Sequence, residues 1–346
     1  MKIAAFILIA VMAAAGNAAT QDASPTGSAP PPSNADDGHR IVGGYPVQAG
    51  DARWQAEIVD SPVYQATEDG HLKGQGKFTR ANLRNGRLWN WEHYCGGALI
   101  APGWIITAAH CVSRVDLKKG LSVRLGVIDL SQAGWQYRID KVFVHERYRL
   151  ATNTTPPLND IALVRLSPVV MKPPEIAVAA PSRAPTFIAI ALQGFAAGSR
   201  PVRAGDEVFV TGWGRTTQKD FNIGKEDAQL VPPASKILQE VGLTVVDAAT
   251  CGRMLNTKIS TGMVCANATG KDSCTGDSGG PMRREVQDPA HPQDADGNPV
   301  KRDVLVGVVS WGEAACGSAP GVYTDVADYS GWIRSKMGAD ARHLLR

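Results

Sequence analysis

The densest chemistry in this chain is the run Lys271-Asp272-Ser273-Cys274-Thr275-Gly276-Asp277-Ser278-Gly279-Gly280-Pro281-Met282. A serine hydroxyl at its free pKa is a poor nucleophile. Ser278 can attack a carbonyl only if a base takes its proton, another group orients that base, and donors meet the oxyanion that forms. The glycines on either side let the backbone turn sharply, so the amides of Gly276 and Ser278 can point into one small space and act as those donors.

Candidates for the other roles stand upstream. Thr107-Ala108-Ala109-His110-Cys111 closes a β-rich run that starts at Trp104, and Asn159-Asp160 precedes the apolar run Ile161 to Leu166. A lone histidine is ordinarily structural, a lone Asp before an apolar run reads as a turn or cap, and a Gly-Ser-Gly run reads as a surface turn. Together they read differently. Gly276-Asp277-Ser278-Gly279-Gly280-Pro281 resembles the nucleophile motif of the trypsin/chymotrypsin-like serine proteases, and Thr107 to Cys111 matches that family's histidine motif. The order His110, Asp160, Ser278 is the chymotrypsin order, not that of subtilisin or the α/β-hydrolases. The resemblance implies Ser278 as nucleophile, His110 as base, and Asp160 accepting from His110 Nδ1–H to fix the tautomer.

The same resemblance implies a specificity and a switch. Asp272 lies where the trypsin branch places the carboxylate at the base of its primary pocket, with Gly312 and Gly321 as walls and Ser310-Trp311-Gly312 as an edge that pairs with substrate backbone. A buried carboxylate favours a substrate Arg or Lys that neutralises it. Arg40-Ile41-Val42-Gly43-Gly44 matches the activation site: after a cut behind Arg40, the new α-amino group of Ile41 would pair with Asp277 and aim the Gly276 amide.

Positioning these residues requires a large scaffold. The chain has 346 residues, 44% of them hydrophobic, and a net charge of +3 with its basic residues spread out, so no nucleic-acid partner is expected. Strand-like runs cover Trp54 to Val59, Cys95 to Ile100, Trp104 to Cys111, Val123 to Leu130, Tyr137 to Val144, Glu207 to Thr211, Ile237 to Val246 and Val304 to Trp311. Many short strands with few helical signals predict two antiparallel six-stranded β-barrels with the site in the cleft between them. One C-terminal helix is predicted from the spacing of Val326, Tyr329, Trp332, Ile333 and Met337.

Met1 to Ala19 has the three regions of a secretory signal peptide, so export is expected, with residues 20–40 as an activation propeptide and 41–346 as the protease domain. An oxidising compartment makes Cys95, Cys111, Cys251, Cys265, Cys274 and Cys316 disulfide partners rather than metal ligands. Spacing alone does not pair them; the resemblance implies Cys95 with Cys111, Cys251 with Cys265, and Cys274 with Cys316. No metal or cofactor is expected, Val127 standing where calcium-binding trypsins carry a loop carboxylate. Pro320 and Glu313-Ala314-Ala315 also depart from the family pattern.

Long connections run from Ser61 to Glu92, Ser182 to Arg203, Thr216 to Ala234 and Arg283 to Arg302. Either Phe187 to Leu192 or Ile176 to Ala179 would carry the crossing between barrels. The expected protein is a monomeric secreted endopeptidase cutting after Arg or Lys, with peptide substrates and protein protease inhibitors as partners and no membrane. The competing reading, a non-catalytic binding or cofactor protein on the same fold, would ordinarily have lost a member of the triad.

Overall fold

The computed structural model describes residues 41, 43–48, 50–60, 93–113, 121–132, 134–152, 154–171, 189–194, 200–214, 235–313 and 316–344. The loops at 61–92 and 215–234, and the candidate crossing at 176–179, lie outside these residues.

The first half contains β1 (Tyr45–Pro46), β2 (Gln55–Asp60), β3 (His93–Ala101), β4 (Trp104–Thr107), β5 (Leu121–Leu125), β6 (Trp135–Val144) and β7 (Ala162–Met171). Strands β2-β3-β4-β7-β6-β5 close into an antiparallel barrel, β5 returning to pair with β2. The second half contains β8 (Ala191–Leu192), β9 (Glu207–Gly212), β10 (Gln239–Val246), β11 (Met263–Asn267), β12 (Pro281–Gln287), β13 (Lys301–Trp311) and β14 (Gly321–Asp325). Here β9-β10-β11-β14-β13-β12 form a second antiparallel ring, closed by β12 pairing with β9. Both expected barrels are present.

Sequence pattern explains how the strands sit. In β10, Val241, Leu243 and Val245 are buried while Gly242, Thr244 and Val246 are less so, the period of a strand with one wet face. In β3, Cys95 to Ala101 are all buried, because protein covers the strand on both faces and a continuous small and apolar run results. The first barrel closes over Ile58, Ile106, Val123, Leu125 and Leu163, the second over Val208, Val210, Val241, Met282, Val306 and Tyr323. Each such aliphatic side chain contributes roughly 1.5–3 kcal/mol when fully buried. Between the rings, Thr211 Oγ1 donates to Gln55 Oε1 at 2.7 Å in a buried position.

Among the described residues, short α-helices accompany the sheets: α1 (Ala109–Val112), α2 (Ala248–Met254) and α3 (Ser330–Met337). Helix α3 and the 3₁₀ turn before it pack on the first barrel through Val326, Tyr329, Ile333 and Met337. Trp104 Nε1 ties the segment down by donating to Asp340 Oδ2 at 2.9 Å.

The structure corrects several expected boundaries. The run from Trp104 is a strand only to Thr107, and His110 lies on the helical turn α1. The connection expected at Arg283 to Arg302 is shorter, because β12 and β13 extend to Gln287 and from Lys301. Strand β5 ends at Leu125, and Val127 is a buried member of a cluster with Val47, Leu130, Trp213 and Leu238. Of the two candidate crossings, the described end of Phe187 to Leu192 touches both barrels. Ile190 N–H donates to Leu99 O at 2.9 Å, and β8 pairs in parallel with β13.

Candidate active site

The loop between β11 and β12 carries Ser278 and is held at several points. Asp277 N–H donates to Cys274 O at 2.9 Å and Gly280 N–H to Asp277 O at 2.8 Å, so the chain doubles back on itself. Gly276 has φ +104°, a conformation that side chains oppose. The Asp277 carboxylate is fully buried and accepts from Gly214 N–H and Cys274 N–H, each at 2.7 Å. A Cβ on Gly212 or Gly214 would overlap that carboxylate, so the Gly212-Trp213-Gly214 stretch is the lining of its pocket. Burial pushes Asp277 up to about 6 against the pull of those two donors.

This folding leaves two amides over. Asp277, Gly279 and Gly280 donate to backbone carbonyls, whereas among the described residues Gly276 and Ser278 donate to none. They are the two amides expected to meet an oxyanion.

His110, on α1 after β4, and Asp160, just before β7, are brought together from separate segments. His110 Nδ1 lies 2.8 Å from Asp160 Oδ2, and His110 N–H donates to Asp160 Oδ1 at 2.9 Å. Ser310 Oγ donates to Asp160 Oδ2 at 2.6 Å, and Thr324 Oγ1 to the Asp160 carbonyl at 2.8 Å. The carboxylate is 2% exposed, so these donors fix its position. With Nδ1–H given to Asp160, Nε2 is left as the free base.

Ser278 Oγ and His110 Nε2 are not hydrogen-bonded to each other, a distance that tightens in many enzymes only when substrate is present. Their backbones are coupled instead. Gly96 N–H donates to Ser278 O at 2.8 Å, and the neighbouring Cys95 is bonded to Cys111, next to His110. The sulfurs of Cys95 and Cys111 lie within 4.8 Å of a His110 ring nitrogen, but both are consumed in the disulfide and offer no thiolate to a metal.

Asp272 sits under the same loop, 3% exposed. Gly317 N–H donates to its Oδ2 at 3.1 Å, and Ser273 Oγ reaches its Oδ1 at 3.5 Å. Ser273 Oγ is also 3.0 Å from Tyr323 Oη. Burial, helped by the charge of Asp277, pushes the Asp272 carboxyl up to about 6. The bond Cys274–Cys316 brings Gly317 to this carboxylate. A Cβ on Gly321 would stand 2.9 Å from Asp272 Oδ1, and one on Gly312 would meet Gly321 Cα at 3.8 Å. These two glycines therefore open the space above Asp272. Trp311 and Ser310 stand half-buried at the end of β13. The third disulfide joins Cys251 on α2 to Cys265 on β11, as the resemblance implied for all three.

Ile41 is fully buried in the core cluster of the second barrel. Arg40 and the segment before it lie outside the described residues.

Some contributors escaped the sequence reading. Ser310 was expected only to meet substrate, and its hydroxyl also holds Asp160. Thr324 and Gly214 were not singled out at all, having ordinary local readings as a strand residue and a turn residue. The Gly-Trp-Gly pattern at 212–214 was the available signal for a close backbone approach.

The family model for trypsin matches residues 68–333 of this chain. Vitamin K-dependent protein C of Rattus norvegicus is 32% identical over 308 residues, covering 87% of this chain and 52% of that protein. Transmembrane protease serine 11C of Mus musculus is 32% identical over 306 residues, 87% of this chain and 54% of that protein. The chain thus spans about half the length of these two relatives. Trypsin Blo t 3 of Blomia tropicalis is 34% identical over 253 residues, 71% of this chain and 77% of that protein. Among solved structures, neuropsin, a serine protease expressed in the limbic system of mouse brain, matches with a TM-score of 0.56 and 25% identity, covering 86% of this chain and all of that one.

Proposed function

The chain belongs to the trypsin family of serine proteases, and on that footing we propose that it is an endopeptidase that hydrolyses peptide bonds after Arg or Lys. The observation that carries this reading is the His110–Asp160 pair, coupled through Cys111–Cys95 and Gly96 N–H to the Ser278 carbonyl, on a loop whose Gly276 and Ser278 amides meet no backbone acceptor among the described residues.

In the first half-reaction Ser278 Oγ attacks the scissile carbonyl carbon while His110 Nε2 takes its proton. The carbonyl oxygen becomes an oxyanion between the amides of Gly276 and Ser278, each such donor being worth about 3–4 kcal/mol in the transition state. Asp160 remains a carboxylate and stabilises the imidazolium. His110 then gives its proton to the leaving amine and the C–N bond breaks, leaving the acyl group on Ser278. Water, deprotonated by His110, attacks that ester and restores the enzyme. Asp272 would pair with the substrate Arg or Lys, and the segment from Ser310 to Gly312 would hold its backbone.

The protein would be made as a zymogen. Among the described residues the buried Asp277 carboxylate has two backbone donors and no ion pair. A cut after Arg40 would give it the α-amino group of Ile41, whose side chain already belongs to the second-barrel core. Residues 1–19 would direct export and 20–40 would be released. Three disulfides fit an oxidising compartment. Among the described residues no helix is long and apolar enough to cross a membrane.

The test compares hydrolysis of Arg, Lys and Phe chromogenic peptides by protein cut after Arg40, by uncut protein and by Ser278→Ala. The expected result is cleavage after Arg and Lys only, with a loss of about 10⁴-fold or more in Ser278→Ala. Equal cleavage after Phe would remove the Asp272 assignment, and full activity in Ser278→Ala would remove the nucleophile.

A further inference from the structure

A buried chain of charges runs through the first barrel into the nucleophile loop. Glu57 lies in β2, directly paired with Arg124 of β5 on one side and near the start of β3 on the other. It is fully buried. Its Oε2 accepts from Arg124 Nε at 2.6 Å, and its Oε1 lies 3.2 Å from His93 Nδ1. The other ring nitrogen, His93 Nε2, lies 2.9 Å from the carbonyl oxygen of Gly276. The ring is 1% exposed and meets the Trp213 indole edge-on at 5.7 Å.

Both neighbours of the ring are acceptors. A carbonyl has no proton to give. Burial works against charge on Glu57, but Arg124 and His93 outweigh it and hold the carboxyl below its usual range, so Glu57 has none to give either. A neutral imidazole would aim one lone pair at an acceptor oxygen inside the protein, which buried polar groups avoid. The geometry is satisfied when both nitrogens carry hydrogen. The charged groups around the ring are Glu57 on β2, Arg124 on β5 behind Glu57, and Asp277 on the nucleophile loop.

What this ring holds is a link of the loop near Ser278 that has no side chain to fix it and a positive φ. Asp277 is fixed through its carboxylate and Ser278 through its carbonyl on Gly96 N–H. Gly276, at φ +104° and without a side chain, has its carbonyl as its handle, and His93 grips it. Its amide on the other side is the one expected to meet the oxyanion.

We propose that His93, held in place by Glu57, which Arg124 holds in turn, is a positioning residue that sets the Gly276 carbonyl and thereby the oxyanion donors. This rests on the endopeptidase reading. An oxyanion exists only in the transition state, so the effect belongs in kcat and not in ground-state binding.

The experiment uses the full chain cut after Arg40. His93→Phe keeps a ring against Trp213 and removes both hydrogen bonds. The expected result is a fall in kcat of about 10- to 100-fold on an Arg peptide, smaller than for a donor lost outright. The inhibition constant of benzamidine, which reads only the Asp272 pocket, should be unchanged, while a peptidyl-arginine aldehyde, which forms a tetrahedral adduct, should bind more weakly in proportion to kcat. Glu57→Gln should lower kcat by less than His93→Phe does, because its amide can still donate to Nδ1 while the ring donates to Gly276. Wild-type kcat in His93→Phe, or equal losses in kcat and benzamidine affinity, would overturn the proposal. Nitrogen-15 spectra of the unsubstituted protein should show His93 Nε2 carrying the proton it donates to the Gly276 carbonyl, and an unprotonated Nε2 would also overturn it. Should the parent enzyme hydrolyse nothing, the endopeptidase reading fails, and these spectra still decide the state of His93.

Discussion

Asp272 shows how one residue's chemistry was readable while its environment was not. An Asp placed six positions before the nucleophile marked the pocket, since only a carboxylate there discriminates for cations. Its burial against Gly321 and its donors from Gly317 and Ser273 needed the fold, because Gly317 arrives through a disulfide spanning 42 residues. The same holds at Asp160, whose partners Ser310 and Thr324 are 150 and 164 positions away. His93 and Glu57 have unremarkable neighbours in sequence and acquire a role only by facing each other across two strands. A pH dependence follows for Asp272. Burial raises it to about 6, and the carboxylate is the form that binds a cation. Benzamidine affinity should therefore be full above pH 6 and fall as pH drops through it, approaching tenfold per unit. An Asp272→Asn protein should bind weakly at every pH, and a flat profile for the parent down to pH 4 would contradict the assignment.

At the scale of elements, strands with β-branched and aromatic alternation were legible and those dominated by sheet context were not. β10 and β13 announce themselves through Val and Leu, whereas β11, β12 and β14 carry Asn, Arg, Gly and Asp and are strands because their neighbours complete them. The turn α1 could not be told from the end of β4, since Ala109, Cys111 and Val112 around His110 are apolar and can be buried in either conformation. The disulfides act at this scale. Cys274–Cys316 closes a loop of 42 residues and supports the wall of the Asp272 pocket. Replacing both cysteines by serine should lower stability by about 3–4 kcal/mol in urea unfolding and raise KM for Arg peptides more than it lowers kcat. A variant as stable as the parent, with its KM unchanged, would show that the bond supports neither.

At the scale of the whole molecule, the two barrels bring His110 and Asp160 from the first ring to Ser278, Asp272 and Ser310 from the second. Fold class was legible from triad order and strand count together; which segment crosses between rings was not, because two apolar stretches competed, and the contacts of Ile190 with Leu99 and of β8 with β13 come only with the fold. The central claim is that this assembly becomes a nucleophilic enzyme when the chain is cut after Arg40. The most direct test treats cut and uncut protein with an arginine-mimicking phosphonate diester and locates the adduct by mass spectrometry. The account predicts one adduct, on Ser278, in the cut protein, and little or none in the uncut form or in Arg40→Gln treated with the same activating protease. An unlabelled Ser278 in folded, cut protein, or equal labelling before the cut, would contradict it.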